Sequence, residues 1–534
     1  MPTDCITYQK SGYFINLIVD YLDEKPELKS FYNRFPKIKN FKSQIEEKHL
    51  NFNDNDNYKR QILVDELEIQ YQNFEVTKTT SNNIKLLNRS NTYTITTGHQ
   101  LNLFTGPLYF LYKIISTINL CKELKIAYPE NDFVPIYWMA TEDHDFEEIN
   151  HFTFKGKKIS WQRDSSGPVG RLATDGLDEV YDLFASVLGT SHNAETLKKL
   201  FQEAYLGHKN LAKATRYLAN QLFGEHGLVI LDADSKTLKT SFIPYIKDEL
   251  LHQSSFAKVT ETITKLNYDI QVNPREINLF YIEDNLRERI ILENGIYKIN
   301  NTKIEFSEAK ILELVATNPE KFSPNVIFRP LYQEVILPNL CYIGGGGEIA
   351  YWLELKAMFN HHNITFPMLL VRNSVVLVSE KQTAKANKLH LPWGDLFINQ
   401  QDLYTQKTKQ FSEFTIDFSI LKEALQKQFE DLLQLTKKTD KSFLGAVKAQ
   451  EAKQIKGLEN LEKRLLKAEK KVHAEQLERI ILLQNELFPN QGLQERKCNF
   501  AEFYLEFGDD FIKKLANELQ PLSQNFSILS LITC

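Results

Sequence analysis

The chain has 534 residues, a length that predicts two or three domains. Its residues are 42% hydrophobic and 25% charged, a composition typical of a globular protein. Its formal net charge of −5 argues against a nucleic-acid partner. No apolar run approaches the roughly 20 residues that span a bilayer, so we expect no membrane partner. The first residues lack a signal-peptide pattern, and the five cysteines form no CxxC pair. We therefore expect a cytoplasmic protein.

Residues 1–90 are predicted to form a helical segment that packs on the core. The stretch YFINLIVDYLDE and the later RQILVDELEIQYQNF carry apolar residues at helical spacing. The polar run NFNDNDN at 51–57 separates them and is typical of a loop.

Residues 91–400 alternate predicted strands with predicted helices. The strands are TYTITT (92–97), DFVPIYWMA (132–140), GLVILDAD (227–234), NLCYIG (339–344) and TFPMLLV (365–371). A single predicted helix, GEIAYWLELKAMFNHH, links the last two strands as a crossover. The pattern predicts an α/β fold with a Rossmann-like, mostly parallel sheet.

Two insertions interrupt this core, near 151–180 and 270–325. Each contains a short hairpin signal, Lys155-Gly156 in the first insertion and Asn294-Gly295 in the second. We expect both to be small antiparallel elements.

Residues 405–490 are predicted to form a coiled-coil helical region, and residues 491–534 to return to the core. One helix carries apolar side chains at three- and four-residue spacing, with lysine, arginine and glutamate on its other faces; these are Leu458, Leu461, Leu465, Ala468 and Val472. Such a stripe predicts either a homodimer or a helical hairpin within the chain.

The stretch TITTGHQLNLFTGPLYF leads from a strand into a helix. Gly98 permits a close ligand approach, Thr105 can cap the helix, and Pro107 suits its first turn. The helix start would favour an anion, with His99 on the preceding loop as a donor. Its candidate binding residues are Gly98, His99, Gln100, Thr105 and Gly106. The alternative is a tight turn in which His99 only caps backbone.

The stretch GGGGE repeats this arrangement after another strand. Its candidate binding residues are Gly344, Gly345, Gly346, Gly347 and Glu348. Four glycines leave the backbone bare for a ligand, whereas a simple connector would not need them. Glu348 would repel a phosphate beside it, so we expect it to bind an amine or hydroxyl of a substrate.

The stretch TEDHDFEEINH follows a buried strand and concentrates acidic groups at its carboxyl end. Glu142, Asp143 and His144 are the candidate catalytic residues, suited to general acid–base chemistry. Asp145 and Glu148 have the spacing of a capping box, so the segment can also be a helix start. No HExxH pattern is present, and we expect no metal site.

Further candidates lie at the ends of other elements. Arg329 and Gln333 precede the glycine-rich strand, and Arg372 ends the last strand. Asp232 and Asp234 end another strand, and we expect them either to bind a ligand or to cap the following helix. Cys341 lies within an apolar strand and is expected to be core.

Three long motifs carry a family resemblance: TGHQLNLFTGPLYFLYKIIS, VPIYWMATEDHDFEEINH and RPLYQEVILPNLCYIGGGGEIAYWLELK. Together they resemble the BshC family, the cysteine ligases of bacillithiol biosynthesis, from about residue 90 to the C-terminus. The resemblance implies a Rossmann-like core, a coiled coil that supports a homodimer, and addition of L-cysteine to glucosaminyl-malate. The family has Gln or His at position 99, which favours a binding role for His99.

This reaction forms an amide, so the cysteine carboxylate must be activated. We expect ATP, with ADP as a product and Mg²⁺ only as its companion ion. Two alternatives stay open. One is a scaffold with a degenerate nucleotide-binding core, and the other is a metal-dependent hydrolase built on the TEDHD segment.

Overall fold

The computed structural model describes residues 4–53 and 57–531. The described chain divides into two compact units. The first contains the residues up to Val376 together with Gln494–Ser527, and the second contains Leu377–Leu493 and the residues from Ile528. Of the predicted loop at 51–57, residues 54–56 lie outside the described residues, whereas 51–53 end the helix Phe41–Asn53 and Asn57 begins the helix Asn57–Tyr71, so the loop prediction is wrong at those positions.

The strands, in chain order, are β1 (Asp4–Thr7), β2 (Thr92–His99), β3 (Asp132–Met139), β4 (His151–Phe154), β5 (Lys157–Ser160), β6 (Val229–Asp232), β7 (Leu279–Glu283), β8 (Leu286–Glu293), β9 (Ile296–Ile299), β10 (Glu305–Ser307), β11 (Phe322–Pro324), β12 (Asn339–Gly344), β13 (Met368–Val371), β14 (Ser374–Ser379) and β15 (Asn525–Leu531).

The first unit is built on a parallel sheet with the strand order β13–β12–β2–β3–β6. Every residue of β2 is buried, as expected for a strand covered on both faces. From β2 the chain adds strands first on the β3 side and later on the β12 side, so the order reverses at β2. Open sheets bind ligands at the carboxyl ends of such neighbouring strands. The predicted Rossmann-like fold class is confirmed.

Both predicted hairpins are present. β4 and β5 turn at Lys155-Gly156, with φ values of 48° and 76°. β8 and β9 turn at Asn294-Gly295, with φ values of 51° and 78°. Positive φ at both central residues matches the twist of a two-residue hairpin turn. The second hairpin belongs to a five-stranded sheet, β10–β9–β8–β7–β11, that is larger than the sequence predicts.

Helices surround the sheets of the first unit. They are Tyr8–Ser11, Asn16–Leu22, Phe41–Asn53, Asn57–Tyr71, Lys78–Leu86, Tyr109–Ala127, Phe146–Ile149, Leu177–Leu188, His192–Phe201, Leu211–Phe223, Lys236–Thr240, Ile243–His252, Ser254–Leu266, Glu308–Thr317, Arg329–Ile336, Gly346–Leu353, Lys356–His361, Gln494–Lys497, Phe500–Phe507 and Asp509–Glu518.

The crossover after β12 consists of two helices, so the prediction of a single helix is wrong. Gly346–Leu353 ends at Glu354, and Lys356–His361 follows. The Glu354 carboxylate accepts hydrogen bonds from the backbone N–H groups of Gln271 (2.7 Å) and Val272 (3.1 Å). These hydrogen bonds connect the end of the first helix to a neighbouring loop. The apolar periodicity of the sequence contains no information about such a contact.

The second unit is helical, with Glu380–Lys388, Gln400–Phe411, Ser419–Thr436, Lys441–Val472 and Ala474–Leu487. Ser419–Thr436 packs against Lys441–Val472 and forms a helical hairpin.

The predicted apolar stripe divides on this hairpin. Leu458 and Leu465 are half-buried, whereas Leu461 and Val472 are 53% and 71% exposed. The packed face also contains Glu462, which pairs with Lys422 at 2.7 Å. Packing within the chain therefore uses only part of the stripe.

Among residues 4–53 and 57–531, no helix has the length and apolar character needed to cross a bilayer.

Candidate functional site

A cavity of about 780 Å³ opens in the first unit where the parallel strands end. The last residues of β2 and β3, among them Gly98 and Met139, line it together with Tyr342 of β12. Leu279 and Phe280 of the antiparallel sheet form part of the wall. The cavity thus lies at the reversal of strand order, where open sheets bind ligands.

Positive charge dominates the wall of this cavity. Its basic side chains are Lys113, Arg275, Arg287, Arg289, Arg329, Arg372 and Arg496. Its acidic side chains are Glu142, Asp143 and Glu348. Seven cations against three carboxylates, in a chain whose formal net charge is −5, give this wall an excess of positive charge that suits an anionic ligand.

Glu348 and Lys113 form a buried ion pair at the floor of the site. Lys113 Nζ lies 2.5 Å from Glu348 Oε2 and also donates to the Gly98 carbonyl at 2.8 Å. The Glu348 carboxylate accepts from the Tyr342 hydroxyl (2.8 Å) and from the Gly345 N–H (2.9 Å). Burial acts to raise the pKa of Glu348, but Lys113 and these donors hold it below its usual range. Protein groups therefore already satisfy the carboxylate that we predicted would bind a substrate amine.

The glycine run contributes two of its four residues to the wall. Gly345 and Gly347 line the cavity, and a side chain on Gly347 would meet open space. Gly344 and Gly346 face the protein instead, since a Cβ there would lie 2.9 Å from Glu348 Cβ and from Phe14 Cδ1, respectively. Half of the run is therefore required for packing and half borders the site.

Gly98 packs closely against two cavity residues. A Cβ at this position would lie 3.2 Å from the Tyr342 hydroxyl and 3.8 Å from Arg329 Nη1. The glycine lets these two side chains approach the strand end, which agrees with the predicted need for a bare backbone.

Arg329 carries a cavity charge with no carboxylate at ion-pair distance among the described residues. Its Nη1 donates to Gln333 Oε1 at 3.2 Å and its Nη2 to the Tyr351 hydroxyl at 3.0 Å. Gln333 is fully buried and does not line the cavity, so it orients Arg329 from behind.

The Arg372 guanidinium has a carboxylate partner on one side, whereas a buried N–H group on its other side has no partner among the described residues. Its Nη2 lies 2.7 Å from Glu495 Oε1 in a buried ion pair. Its Nε is buried without a hydrogen-bond partner, 3.9 Å from where a Cβ on Gly345 would be. This leaves an N–H directed toward the glycine-lined part of the cavity.

His99 is the last residue of β2, so its prediction as a loop residue is wrong. Its ring packs on Tyr109 and Phe110, with centroid distances of 5.4 and 5.0 Å. Burial, with Lys113 and Arg372 nearby, places the pKa of His99 well below its usual value. The neutral ring lines the cavity, and its Nε2 has no hydrogen-bond partner in the described structure.

Thr105 does not cap the following helix, which begins at Tyr109 with Leu108 before it and no side-chain cap. Phe104 and Thr105 have φ values of 47° and 68°. Thr105 and Gly106 do not line the main cavity. Asn499 holds this turn by donating to the carbonyls of Phe104 (2.8 Å) and Gly106 (2.6 Å). The binding role predicted for these two residues thus falls on a structural turn.

Glu142 reaches the cavity wall but belongs to a buried charge network. Lys239 Nζ, which is almost fully buried, lies 2.5 Å from Glu142 and 3.4 Å from Asp234. Arg171 Nε completes the network at 2.8 Å from Asp234. Burial raises the pKa of Glu142 against the attraction of Lys239. Asp232 and Asp234 do not line the cavity.

Asp143 is the acidic candidate with the most open access to the cavity. Gln100 Nε2 donates to its Oδ2 at 3.0 Å, and Arg287 Nη1 lies 3.9 Å from its Oδ1. Gln100 also lines the cavity, as predicted, and donates to Glu148 at 2.7 Å. The side chain of Asp143 remains 31% exposed.

His144 is placed differently, since it does not line the cavity. Its Nδ1 accepts from Arg287 Nη1 at 2.6 Å, and burial together with Arg287 lowers its pKa. The predicted side-chain cap at Asp145 is absent, and the helix that follows has only four residues.

Sequence reasoning missed most of the cationic wall. Arg275, Arg287, Arg289 and Arg496 come from the antiparallel sheet region and from a segment near the C-terminus. Arg287 and Arg289 are two residues apart on β8, so they share one face of the strand. That alternation was a usable signal, whereas the predicted return of residues 491–534 to the core did not indicate that Arg496 reaches this cavity.

Two family models together match nearly the whole chain. The N-terminal Rossmann-like domain of the bacillithiol biosynthesis protein BshC matches residues 1–373. The C-terminal coiled-coil domain of BshC matches residues 375–531. The chain belongs to the BshC family.

Relatives of this chain are named "Putative cysteine ligase BshC". One from Flavobacterium psychrophilum is 68% identical over 530 residues and covers 99% of both chains. One from Flavobacterium johnsoniae is 63% identical over 532 residues, covering 99% of this chain and 100% of the relative. A more distant one, from Bacillus thuringiensis, is 28% identical over 530 residues, with coverage of 95% and 96%. The predicted family is thus confirmed over the full length of the relatives.

Proposed function

We propose that this BshC chain joins L-cysteine to glucosaminyl-malate, forming an amide between the cysteine carboxyl group and the glucosamine amine. The observation that carries the proposal is the cationic cavity at the carboxyl ends of the parallel strands. Malate offers two carboxylates and cysteine a third, so the substrates match the excess of positive charge.

The malate carboxylates would bind arginines that no protein carboxylate neutralises. Among the described residues, Arg275, Arg289 and Arg496 line the cavity without an ion pair. A guanidinium presents two parallel N–H groups to a carboxylate, which gives both affinity and orientation.

Activation of the cysteine carboxylate by ATP is part of the proposal. ATP would supply a phosphoryl or adenylyl group to the carboxylate, and that group would leave with the former carboxylate oxygen when the amine attacks. Two features support a phosphate site among the described residues: the Arg329 guanidinium has no carboxylate partner, and Arg372 Nε has no hydrogen-bond acceptor. Mg²⁺ would enter only with the nucleotide.

Asp143 would accept a proton or bind the cysteine ammonium group. It lines the cavity, is partly exposed, and is fixed by Gln100 at 3.0 Å. Because Arg287 already donates to Nδ1 of His144, Asp143 is better placed than the histidine for this role.

The test is product formation. Purified protein is incubated with glucosaminyl-malate, L-cysteine and ATP, and mass spectrometry follows the condensed thiol together with ADP or AMP. We expect product only when all three compounds are present. Absence of product with folded protein would reject the ligase function, whereas product formed without ATP would reject only nucleotide activation.

A homodimer formed through Lys441–Val472 and a cytoplasmic location complete the proposal. Leu461 and Val472 leave an exposed apolar stripe that a second copy could cover. Light scattering should then give a dimer for the wild type and a monomer for Leu461→Lys. A monomeric wild type would leave the helical hairpin as a feature of the single chain.

A further inference from the structure

Three metal-ligating side chains converge in the first unit but do not line the cationic cavity. Asp248 lies on helix Ile243–His252, and His361 and His362 lie at the end of helix Lys356–His361. One ligand atom from each lies within 4.8 Å of the other two. His361 Nε2 is 3.7 Å and His362 Nε2 is 3.9 Å from Asp248 Oδ2.

The convergence contains buried polar atoms that the protein does not satisfy. The His362 side chain is only 7% exposed, and its Nε2 makes no hydrogen bond. Asp248 Oδ2 is likewise buried without a hydrogen-bond partner. Native proteins rarely leave such atoms unpaired, because burial removes their water without replacing it. A cation between the two atoms would satisfy both.

The surroundings hold the ligands in place. The rings of Tyr245 and Phe328 pack on His362, with centroid distances of 5.4 and 6.4 Å. His252 Nδ1 lies 2.9 Å from the other oxygen of Asp248. Hydrogen bonds of this kind orient the ligands of metal sites from outside the coordination shell.

We propose that Asp248, His361 and His362 bind one divalent transition-metal ion of the zinc type. Two imidazoles and one carboxylate suit Zn²⁺, whereas Mg²⁺ and Ca²⁺ prefer oxygen ligands only. Ligands at about 2.0–2.2 Å from tetrahedral zinc lie about 3.3–3.6 Å from one another. The observed 3.7 and 3.9 Å reach this spacing with small side-chain movements. Water would fill the fourth position.

The ion would join the end of Lys356–His361 to helix Ile243–His252. Asp248 lies far in the sequence from the adjacent His361 and His362, and the three follow no zinc-binding spacing, which explains why the sequence predicted no metal here. The site is independent of the proposed ligase function, because no step of that function uses these three residues.

Zinc binding to the full chain tests the proposal. Protein stripped with a chelator is titrated with Zn²⁺ against a chromophoric competitor, and Co²⁺ absorption reports tetrahedral geometry. We expect one Zn²⁺ per chain in the wild type and a higher melting temperature with zinc. His362→Gln and Asp248→Asn should weaken binding at least about 100-fold, since changes outside the shell already cost up to that much. His192→Gln, at an exposed helix position, is the matched control.

Two results would overturn the metal site. One is a wild type that binds no stoichiometric Zn²⁺, and the other is a pair of variants that bind zinc as the wild type does. Circular dichroism of the metal-free proteins separates lost binding from lost fold. If His362→Gln does not fold, His361→Gln, whose side chain is 38% exposed, provides the same test.

Discussion

Glu348→Gln tests whether the floor of the cavity is held by a buried ion pair. The substitution keeps the shape of the side chain but removes the charge that faces Lys113 Nζ at 2.5 Å. The Lys113 side chain is only 4% exposed, so its ammonium would keep the Gly98 carbonyl as a partner but lose its counter-charge.

The expected cost is about 3 kcal/mol of unfolding free energy. Breaking a buried pair by removing one partner costs about 3–5 kcal/mol, because a buried charge is left uncompensated. The Glu348 side chain is 28% exposed, which places the cost at the lower end of that range. Glu313→Gln is the matched control, since its pair with Lys310 is more than half exposed and should contribute about 0–1 kcal/mol.

The pH dependence of this cost has a defined sign. Burial already holds the pKa of Lys113 below its usual value, although Glu348 opposes the shift. Without Glu348, the Lys113 ammonium group holds its proton more weakly in the native state than in the unfolded state. The unfolding free energy of the variant therefore increases as the pH rises. The stability difference from the wild type should therefore narrow as the pH rises toward the ordinary lysine pKa of about 10.4.

Urea unfolding followed by circular dichroism measures the effect, in parallel with turnover. Lys113→Met alone and combined with Glu348→Gln completes a double-mutant cycle, and the double variant should recover most of the loss. A Glu348→Gln protein as stable as the wild type would refute the structural role of the pair. If that protein also lost substrate binding, Glu348 would contact the substrate, as the sequence suggested.

Three further predictions concern other parts of the site. Asp143→Asn should lower turnover by roughly 10²–10⁴-fold with little change in melting temperature, because this side chain is partly exposed and its ion pair with Arg287 is long, at 3.9 Å; normal turnover would exclude it as the proton acceptor. Arg289→Met should raise KM for glucosaminyl-malate roughly 10- to 150-fold, which corresponds to the loss of one charge-assisted hydrogen bond. Arg89→Met is the control and should leave KM unchanged, because the Arg89 side chain is 67% exposed. Burial raises the pKa of Asp232 to about 6, so its ionisation opposes folding. As the pH rises from about 4 to about 7, the wild type should therefore lose up to about 3 kcal/mol of unfolding free energy relative to Asp232→Asn. Parallel curves of unfolding free energy against pH for the two proteins would contradict this.

The sequence by itself determined the elements whose cause is local. The strands around Ile95 and Ile343 follow from runs of buried apolar and β-branched residues. The turns at Lys155-Gly156 and Asn294-Gly295 follow from residues that tolerate positive φ. The bare backbone of Gly98 at a strand end admits two protein side chains, Tyr342 and Arg329, whereas the predicted approach of a ligand stays a prediction.

Distant contacts corrected the local interpretations. Thr105 has a capping sequence, but Asn499 fixes its turn through carbonyl contacts from far along the chain. Glu348 lines the cavity and pairs with Lys113 from another helix, and its predicted contact with a substrate stays a prediction.

Only the tertiary structure decided the charge of the site and the grouping of the metal ligands. Arg289 and Arg496 meet at one cavity because a hairpin sheet and a C-terminal segment fold onto the same crevice. Asp248 and His362 meet because helix Lys356–His361 packs against Ser254–Leu266, the helix that follows Ile243–His252. Periodicity and capping act over a few residues, whereas these contacts depend on how whole elements bury their apolar faces. The chain thus encodes its strands and turns locally, and its chemistry is determined by packing between distant segments.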